Sequence, residues 1–312
     1  MGTLTTIENT ALQVNKPAIT EEAYNRFIAY LDASPKTVET YRRALLQFIK
    51  YLTLKGIARP TREDIVTFRE ELKETCKPTT VQNYIIAVRL FFQWTETEGI
   101  YPNIAQHIKG AKLTRDPKKD ALTSSQVKAI LETIDRDTPQ GRRDYAIFTL
   151  MITGGLRDIE VSRANIEDLR TLGDNTVLYI QGKGREERAE FIRVPAEVEK
   201  AIRSTLIDRP EAEAKQPLFI SLSNNSKGQR LTTRSISGIV KTRLRNAGYD
   251  SDRLTAHSLR HTAVTLSLLA GQSLQEVQQF ARHSNIATTQ IYAHNLDKMQ
   301  NPCGNAIASA IF

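Results

Sequence analysis

The chain has 312 residues, enough for two ordinary domains with separate cores, and its 40% hydrophobic and 25% charged content is that of a soluble globular protein. A formal net charge of +8 fits a polyanionic partner, nucleic acid first, and equally a basic surface kept only for solubility. Two cysteines, Cys76 and Cys303, exclude a disulfide framework and fit a reducing cytoplasm, and no stretch reaches the roughly 20 apolar residues of a membrane span.

The first 19 residues, rich in Thr, Asn and Ala, read as a flexible tail without the basic start and apolar run of a signal peptide. From 20 to 108 the pattern is helical. Ala23, Tyr24, Phe27, Ile28 and Leu31 form one stripe at a 3.6-residue period. Ser34-Pro35 supplies an N-cap and a proline at the first helical position, opening a helix that buries Val38, Tyr41, Leu45, Phe48, Ile49 and Leu52. A third helix starts at Thr61 and carries Ile65, Phe68 and Leu72. A fourth, capped by Thr79 or Thr80, runs through Tyr84, Val88 and Phe92 to Gly99. Four helices with short connections make a small bundle. Its charges nearly balance, with 13 Lys+Arg against 11 Asp+Glu over 21–110, so most of the excess lies further on.

Residues 109–121, centred on KGAKLTRDPKKD, lack periodicity and read as a basic linker, either a solvated tether or a segment that follows a phosphate backbone. The second domain, 122–312, opens with the capping pattern Thr123-Ser-Ser-Gln. An apolar helix then spans 144–153 and ends at Gly154-Gly155. The runs TVLYI (176–180) and AEFIRV (189–194) flank a Gly-rich turn and predict a hairpin, with a further short strand at 218–221. Helices are predicted over 232–246, 257–270 and 273–282. The expected fold is mainly α with a small antiparallel sheet: an N-terminal four-helix bundle followed by an α+β domain.

The residues that carry chemistry lie mostly in the second domain. His257-Ser-Leu-Arg260-His261 puts an imidazole and a guanidinium three positions apart, on one helix face. His283 follows, then Tyr292 within Thr-Thr-Gln-Ile-Tyr-Ala-His. Upstream stand Arg157, in Gly-Gly-Leu-Arg-Asp-Ile-Glu-Val, and Lys183, in Gln-Gly-Lys-Gly-Arg. A phenol has a pKa of about 10, so ionising it at neutral pH costs roughly 4 kcal/mol, and a site that uses one as nucleophile must help remove its proton. Histidine suits that task. Two arginines suit the other, neutralising charge that develops on a phosphate by forked hydrogen bonds without a metal. A lysine between glycines suits protonation of a leaving oxygen. Singly, each has a plainer reading: a capping or surface pair, a solvated turn lysine, a core tyrosine. His257 and His261 have the four-residue spacing of a helical zinc pair, but the intervening Ser-Leu-Arg offers no glutamate and no third ligand stands nearby, so no metal is expected. His261 is expected to make a structural hydrogen bond, and His107 and His294 to lie at or near the surface.

In this order and spacing the set resembles the catalytic signature of the tyrosine recombinase (phage integrase) family, in particular its compact Xer-like members. The pattern Ser-Pro-Lys-Thr-Val…Tyr…Phe at 34–48 resembles that family's core-binding, SAM-like domain. The resemblance implies that Arg157 and Arg260 are the two catalytic arginines and Lys183 the hairpin lysine. It makes His257 and His283 the histidines, Tyr292 the nucleophile and Glu160 a supporting acid. It implies a 3′-phosphotyrosyl intermediate with a free 5′-hydroxyl, no cofactor, and double-stranded DNA with paired recombination half-sites as partner. It also implies a homo-oligomer, a dimer on a site and a tetramer in synapsis, acting in the cytoplasm on the nucleoid. The cations placed to meet DNA are Lys36, Arg42, Arg43, Lys112 and Arg243. The apolar tail Ala-Ile-Ala-Ser-Ala-Ile-Phe packs either on its own core or on a neighbouring protomer. Two positions depart from the family pattern: Arg282 stands where glycine usually precedes the second histidine, and Gly154-Gly155 are paired where one glycine is typical. Two other activities remain open at this stage, type IB topoisomerase-like relaxation and a non-cleaving DNA-binding regulator. The biological role stays open among integration, excision and resolution of a mobile element or replicon.

Overall fold

The computed structural model describes residues 19–113, 120–182 and 187–312, with the side chains of 299 and 300 excepted. Lys183, the expected residues 1–18 of the tail and linker residues 114–119 lie outside them. Two compact units result, Met1–Thr114 and Arg115–Phe312.

The first unit holds α1 (Glu21–Tyr30), α2 (Pro35–Leu54), α3 (Arg62–Thr75) and α4 (Pro78–Thr97). Ser34 caps α2 as expected, its hydroxyl accepting from the Thr37 N–H, and Thr61 caps α3 in a reciprocal box with Asp64. The start of α4 differs from the expected threonine cap: Lys77 is the cap residue and Pro78 opens the helix. Proline fixes φ near the helical value and needs no hydrogen-bond partner in the first turn, so it starts the helix ahead of either threonine. The core is aromatic. Phe27, Phe48, Phe68, Phe91 and Phe92 are all at most 2% exposed, and Phe27 meets Phe91 edge-on at 5.3 Å.

The second unit contains α5 (Ser124–Glu132), α6 (Pro139–Thr153), α7 (Asp158–Arg163), β1 (Leu169–Leu172), β2 (Asn175–Ile180) and β3 (Glu190–Arg193). It continues with α8 (Ala196–Leu206), α9 (Thr233–Asn246), α10 (Ala256–Leu269), α11 (Leu274–Ala281), α12 (Ile286–Gln300) and α13 (Cys303–Ile311). The predicted hairpin is β2–β3, with Leu178 opposite Ile192. A third antiparallel strand, β1, lies on its other side and pairs Leu169 with Leu178. Its sequence Leu-Arg-Thr-Leu is mostly exposed, so it lacks the alternation that marks a half-buried strand. The strand expected at 218–221 is not one; only single bridges form there, Asn165 to Pro217 and Ile220 to Arg230.

Helix α6 starts earlier than its apolar run, capped by Thr138 with Pro139 in the first turn. Its first turns bury Arg143 and Asp144. The Asp144 carboxylate accepts from Arg143 Nε and Nη2 at 2.9 and 2.7 Å, and from Arg243 Nε and Nη2 at 2.9 and 2.6 Å. Arg243, expected from the sequence to meet DNA, has a side chain only 14% exposed, and its guanidinium is engaged by Asp144 within its own unit. Removing the carboxylate would leave two buried cations facing each other. We expect Asp144→Ala to lower stability by about 3–5 kcal/mol, read by denaturant unfolding.

Residues at the start of this unit are tied to α10 and the segment just before it. Asp120 N–H donates to the Arg253 carbonyl at 3.2 Å, and Arg253 Nε returns a bond to Asp120 Oδ1 at 2.7 Å. Leu122, 2% exposed, donates its N–H to Thr262 Oγ1 at 2.8 Å, in the second turn of α10. At the other end, α13 has no buried residue, and Ile307, Ile311 and Phe312 are exposed. Packing of the tail on its own core, one of the two expected arrangements, is therefore not what α13 adopts.

Candidate active site

The site is assembled around the turn between α6 and α7. Gly155 adopts φ 56, and a Cβ there would meet Phe280 at 3.0 Å, so the second glycine of the pair answers both to conformation and to close approach. Two residues on, Arg157 caps α7. Its N–H donates to Glu160 Oε2 and its Nη1 to Glu160 Oε1, both at 2.8 Å. Glu160 is 1% exposed. Its Oε2 also accepts from Arg282 Nη2 at 3.1 Å, so one buried carboxylate holds two guanidiniums.

Arg260 lies in the second turn of α10 and is 2% exposed. Its Nη1 donates to the Gly155 carbonyl at 2.5 Å and its Nη2 to the Ala281 carbonyl. A guanidinium carries five N–H groups, so these two anchors orient the fork without exhausting it. On the same helix His257 is exposed, and its ring meets His261 edge-on at 4.6 Å. His261, buried, lies 5.0 Å from the Tyr292 ring on α12, and His283 stacks near-parallel to Tyr292 at 6.3 Å. His283 follows the left-handed cap of α11, and its Nδ1 is hydrogen-bonded to Thr289 Oγ1 at 2.9 Å.

The electrostatics follow from this crowding. Burial, then the neighbouring Arg157 and Arg282 charges, lower the Arg260 pKa to about 10. Burial and then Arg260, Arg157, Arg282 and His257 push His283 down to about 4, so its ring is neutral near pH 7. Tyr292 is pushed up to about 12 by burial, against the opposing pull of Arg260. Three cations thus converge on a protonated phenol and a neutral imidazole. That arrangement suits an anion which arrives with its charge and accepts attack from a hydroxyl.

Of the residues singled out in the sequence, Arg157, Glu160, Arg260, His283 and Tyr292 come together, with His257 at the rim. Lys183 lies outside the described residues, but the hairpin before it is anchored: Arg163 Nη1 donates to the Gly182 carbonyl at 3.1 Å. Lys36, Arg42, Arg43 and Lys112 are exposed in the first unit. Arg42 Nε donates to the Tyr24 hydroxyl at 3.2 Å, and Arg43 pairs with Glu39 one turn back. Three contributors went unrecognised in the sequence. Arg282 enters the cluster, His261 lines the nucleophile candidate, and Thr289 fixes the His283 ring. Thr289 was the most legible, since it stands three residues before Tyr292 on the same helix face. Among the described residues no group of three or more His, Cys, Asp or Glu is placed to hold a metal ion.

Comparison with known proteins bears on this arrangement. The second unit matches the Phage integrase family over residues 120–299, and the first matches the Phage integrase, N-terminal SAM-like domain over residues 24–99. A tyrosine recombinase XerD of Lacticaseibacillus casei is 32% identical over 282 residues, covering 86% of this chain and 92% of the relative. A tyrosine recombinase XerC of Caldanaerobacter subterraneus subsp. tengcongensis is 29% identical over 308 residues, covering 89% and 83%. The same fold occurs in XerH site-specific recombinase bound to palindromic difH substrate, with a TM-score of 0.73, 23% identity, and 87% of this chain and 80% of that one covered. With the match spanning most of the second unit and the relatives most of the chain, the protein belongs to the phage integrase family.

Proposed function

We propose that this chain is a tyrosine-type site-specific DNA recombinase, in which Tyr292 attacks a scissile phosphodiester to leave a 3′-phosphotyrosyl link and a free 5′-hydroxyl. The observation that carries this is the contact of the Tyr292 ring with both His261, at 5.0 Å, and His283, at 6.3 Å, beside the buried Arg260. Arg157 and Arg260 contact the non-bridging oxygens and neutralise charge gathering on phosphorus. The incoming phosphate offsets the cations that keep His283 neutral and raises its proton affinity as the phenol releases its proton. His257, at the exposed rim, contacts the same phosphate. Lys183 protonates the departing 5′-oxygen. Glu160 positions Arg157. The link conserves the energy of the broken ester, so rejoining needs neither ATP nor a cofactor.

Relaxation of DNA by a topoisomerase and non-cleaving regulation are less well supported, because the relatives are named tyrosine recombinases. The partner is duplex DNA with paired half-sites, gripped by both units, with Lys36, Arg42, Arg43 and Lys112 toward the backbone. A dimer on each site and a tetramer in synapsis form part of the proposal, supported by the exposed apolar residues of α13. Among the described residues no helix is long and apolar enough to cross a membrane.

The test is a nicked duplex drawn from the DNA flanking the coding sequence, incubated with protein and resolved under denaturing conditions. A covalent protein–DNA band supports the reading, and its absence on every flanking segment defeats it. Lys183→Ala should lose cleavage on ordinary DNA and regain it on a 5′-bridging phosphorothiolate, whose sulfur leaves without a proton. Failure of that rescue removes Lys183 from the acid role.

A further inference from the structure

Arg282 sits at φ 54 and ψ 45, the left-handed region, in which glycine is the residue without steric cost. Its side chain spends nearly all its reach on the site. Nη1 donates to the Gly154 and Phe280 carbonyls at 3.2 and 2.9 Å, and Nη2 to the Gly155 carbonyl and to Glu160 Oε2 at 2.9 and 3.1 Å. The side chain is 9% exposed. It shares an acceptor with each arginine assigned to the phosphate: Glu160 with Arg157, and the Gly155 carbonyl with Arg260.

We propose that Arg282 is a positioning residue for strand cleavage: its fork binds the Gly154-Gly155 turn, Glu160 and the end of α11 into one frame, fixing the spacing of Arg157, Arg260 and His283. The inference rests on the recombinase reading above and deepens it. The backbone alone explains neither the residue nor its strain, since glycine would adopt this conformation freely. The four hydrogen bonds do. Without the fork, the hydrogen bonds that join the α6–α7 turn to the end of α11 among the described residues are those of Arg260, whose Nη1 and Nη2 reach the Gly155 and Ala281 carbonyls. Small misplacements of groups that contact a reacting phosphate are costly in rate. Arg282 also contributes charge. His283 is faced by Arg157 at the α7 cap, by His257 and Arg260 on α10, by Arg282, and by Thr289 and Tyr292 on α12, while Glu160 and Glu190 face Arg282. In that company the Arg282 cation helps keep the His283 ring neutral.

The experiment compares wild type, Arg282→Gly and Arg282→Lys in single-turnover cleavage of the nicked duplex at saturating DNA, across pH, with melting temperature and DNA affinity measured alongside. Arg282→Gly should bind DNA as wild type does and cleave about tenfold more slowly or worse. With one cation gone from around His283, its ring protonates more readily, so the acid limb of the rate profile should move to higher pH. Arg282→Lys keeps the charge and loses the fork, so its rate should fall while the acid limb stays in place. Wild-type rates in both variants, with the acid limb unmoved, would overturn the proposal. If the glycine variant proves unstable, the lysine variant decides: a wild-type rate there overturns the role of the fork. No adduct from wild type would instead defeat the recombinase reading, a result distinct from equal adduct formation in wild type and variants.

Discussion

Replacing Tyr292 by phenylalanine is expected to abolish the covalent protein–DNA adduct while leaving fold and DNA affinity close to those of the original chain. The ring packs beside the small cluster of Val264, Val277 and Ala281, and phenylalanine keeps those contacts. Only one oxygen is lost. That oxygen belongs to a phenol pushed up to about 12 by burial, so it enters the reaction protonated and gains nucleophilicity only as the phosphate and its neighbours draw the proton away. Among the described residues of the cluster, Tyr292 alone has a phenol whose ring contacts both His261 and His283. The measurement is trapping on a nicked duplex followed by denaturing electrophoresis. Adduct at the original level in the phenylalanine variant would move the nucleophile elsewhere in the chain.

The second large effect concerns Arg260. We expect Arg260→Ala to slow single-turnover cleavage by roughly a hundred- to a thousandfold, the loss typical of removing one preorganised donor to a developing oxyanion. The effect on stability should be much smaller, because two consequences oppose each other. The Gly155 and Ala281 carbonyls lose their donor, which destabilises. A buried cation, depressed to about 10 by its surroundings, is also removed, which relieves a desolvation cost. Melting temperature read beside the cleavage rate separates the two. A rate loss no greater than the change in folded fraction would make Arg260 a structural residue only.

Much of this arrangement could be read before any coordinates. Side chains three and four apart on a helix share a face, so the sequence around His257 to His261 already grouped an imidazole with the arginine that the fold places beside Tyr292. Helix starts followed from Ser34-Pro35, Thr61 and Thr123, where local chemistry decides. What stayed hidden depended on contacts distant in the chain. Arg243 reads as one more surface cation until Asp144, 99 residues away, takes its guanidinium. Arg282 reads as an irregularity until Glu160, 122 residues away, comes into range. Strand β1 was missed for the opposite reason: three of its four side chains are exposed, so its sequence lacks the alternation that marks a half-buried strand.

The bonds at residues 120–122 set where the second unit can be cut free. Asp120 and Leu122 precede its first helix, yet their partners, Arg253 and Thr262, flank the helix turns that carry His257 and Arg260. A fragment beginning at Thr123 would keep every residue of the cluster but lose the apolar Leu122 side chain, its tie to Thr262 of α10 and the Asp120 tie to Arg253 just before that helix. Dissection of this protein into an isolated catalytic fragment therefore has to start upstream of Asp120, within what the sequence alone would assign to the linker.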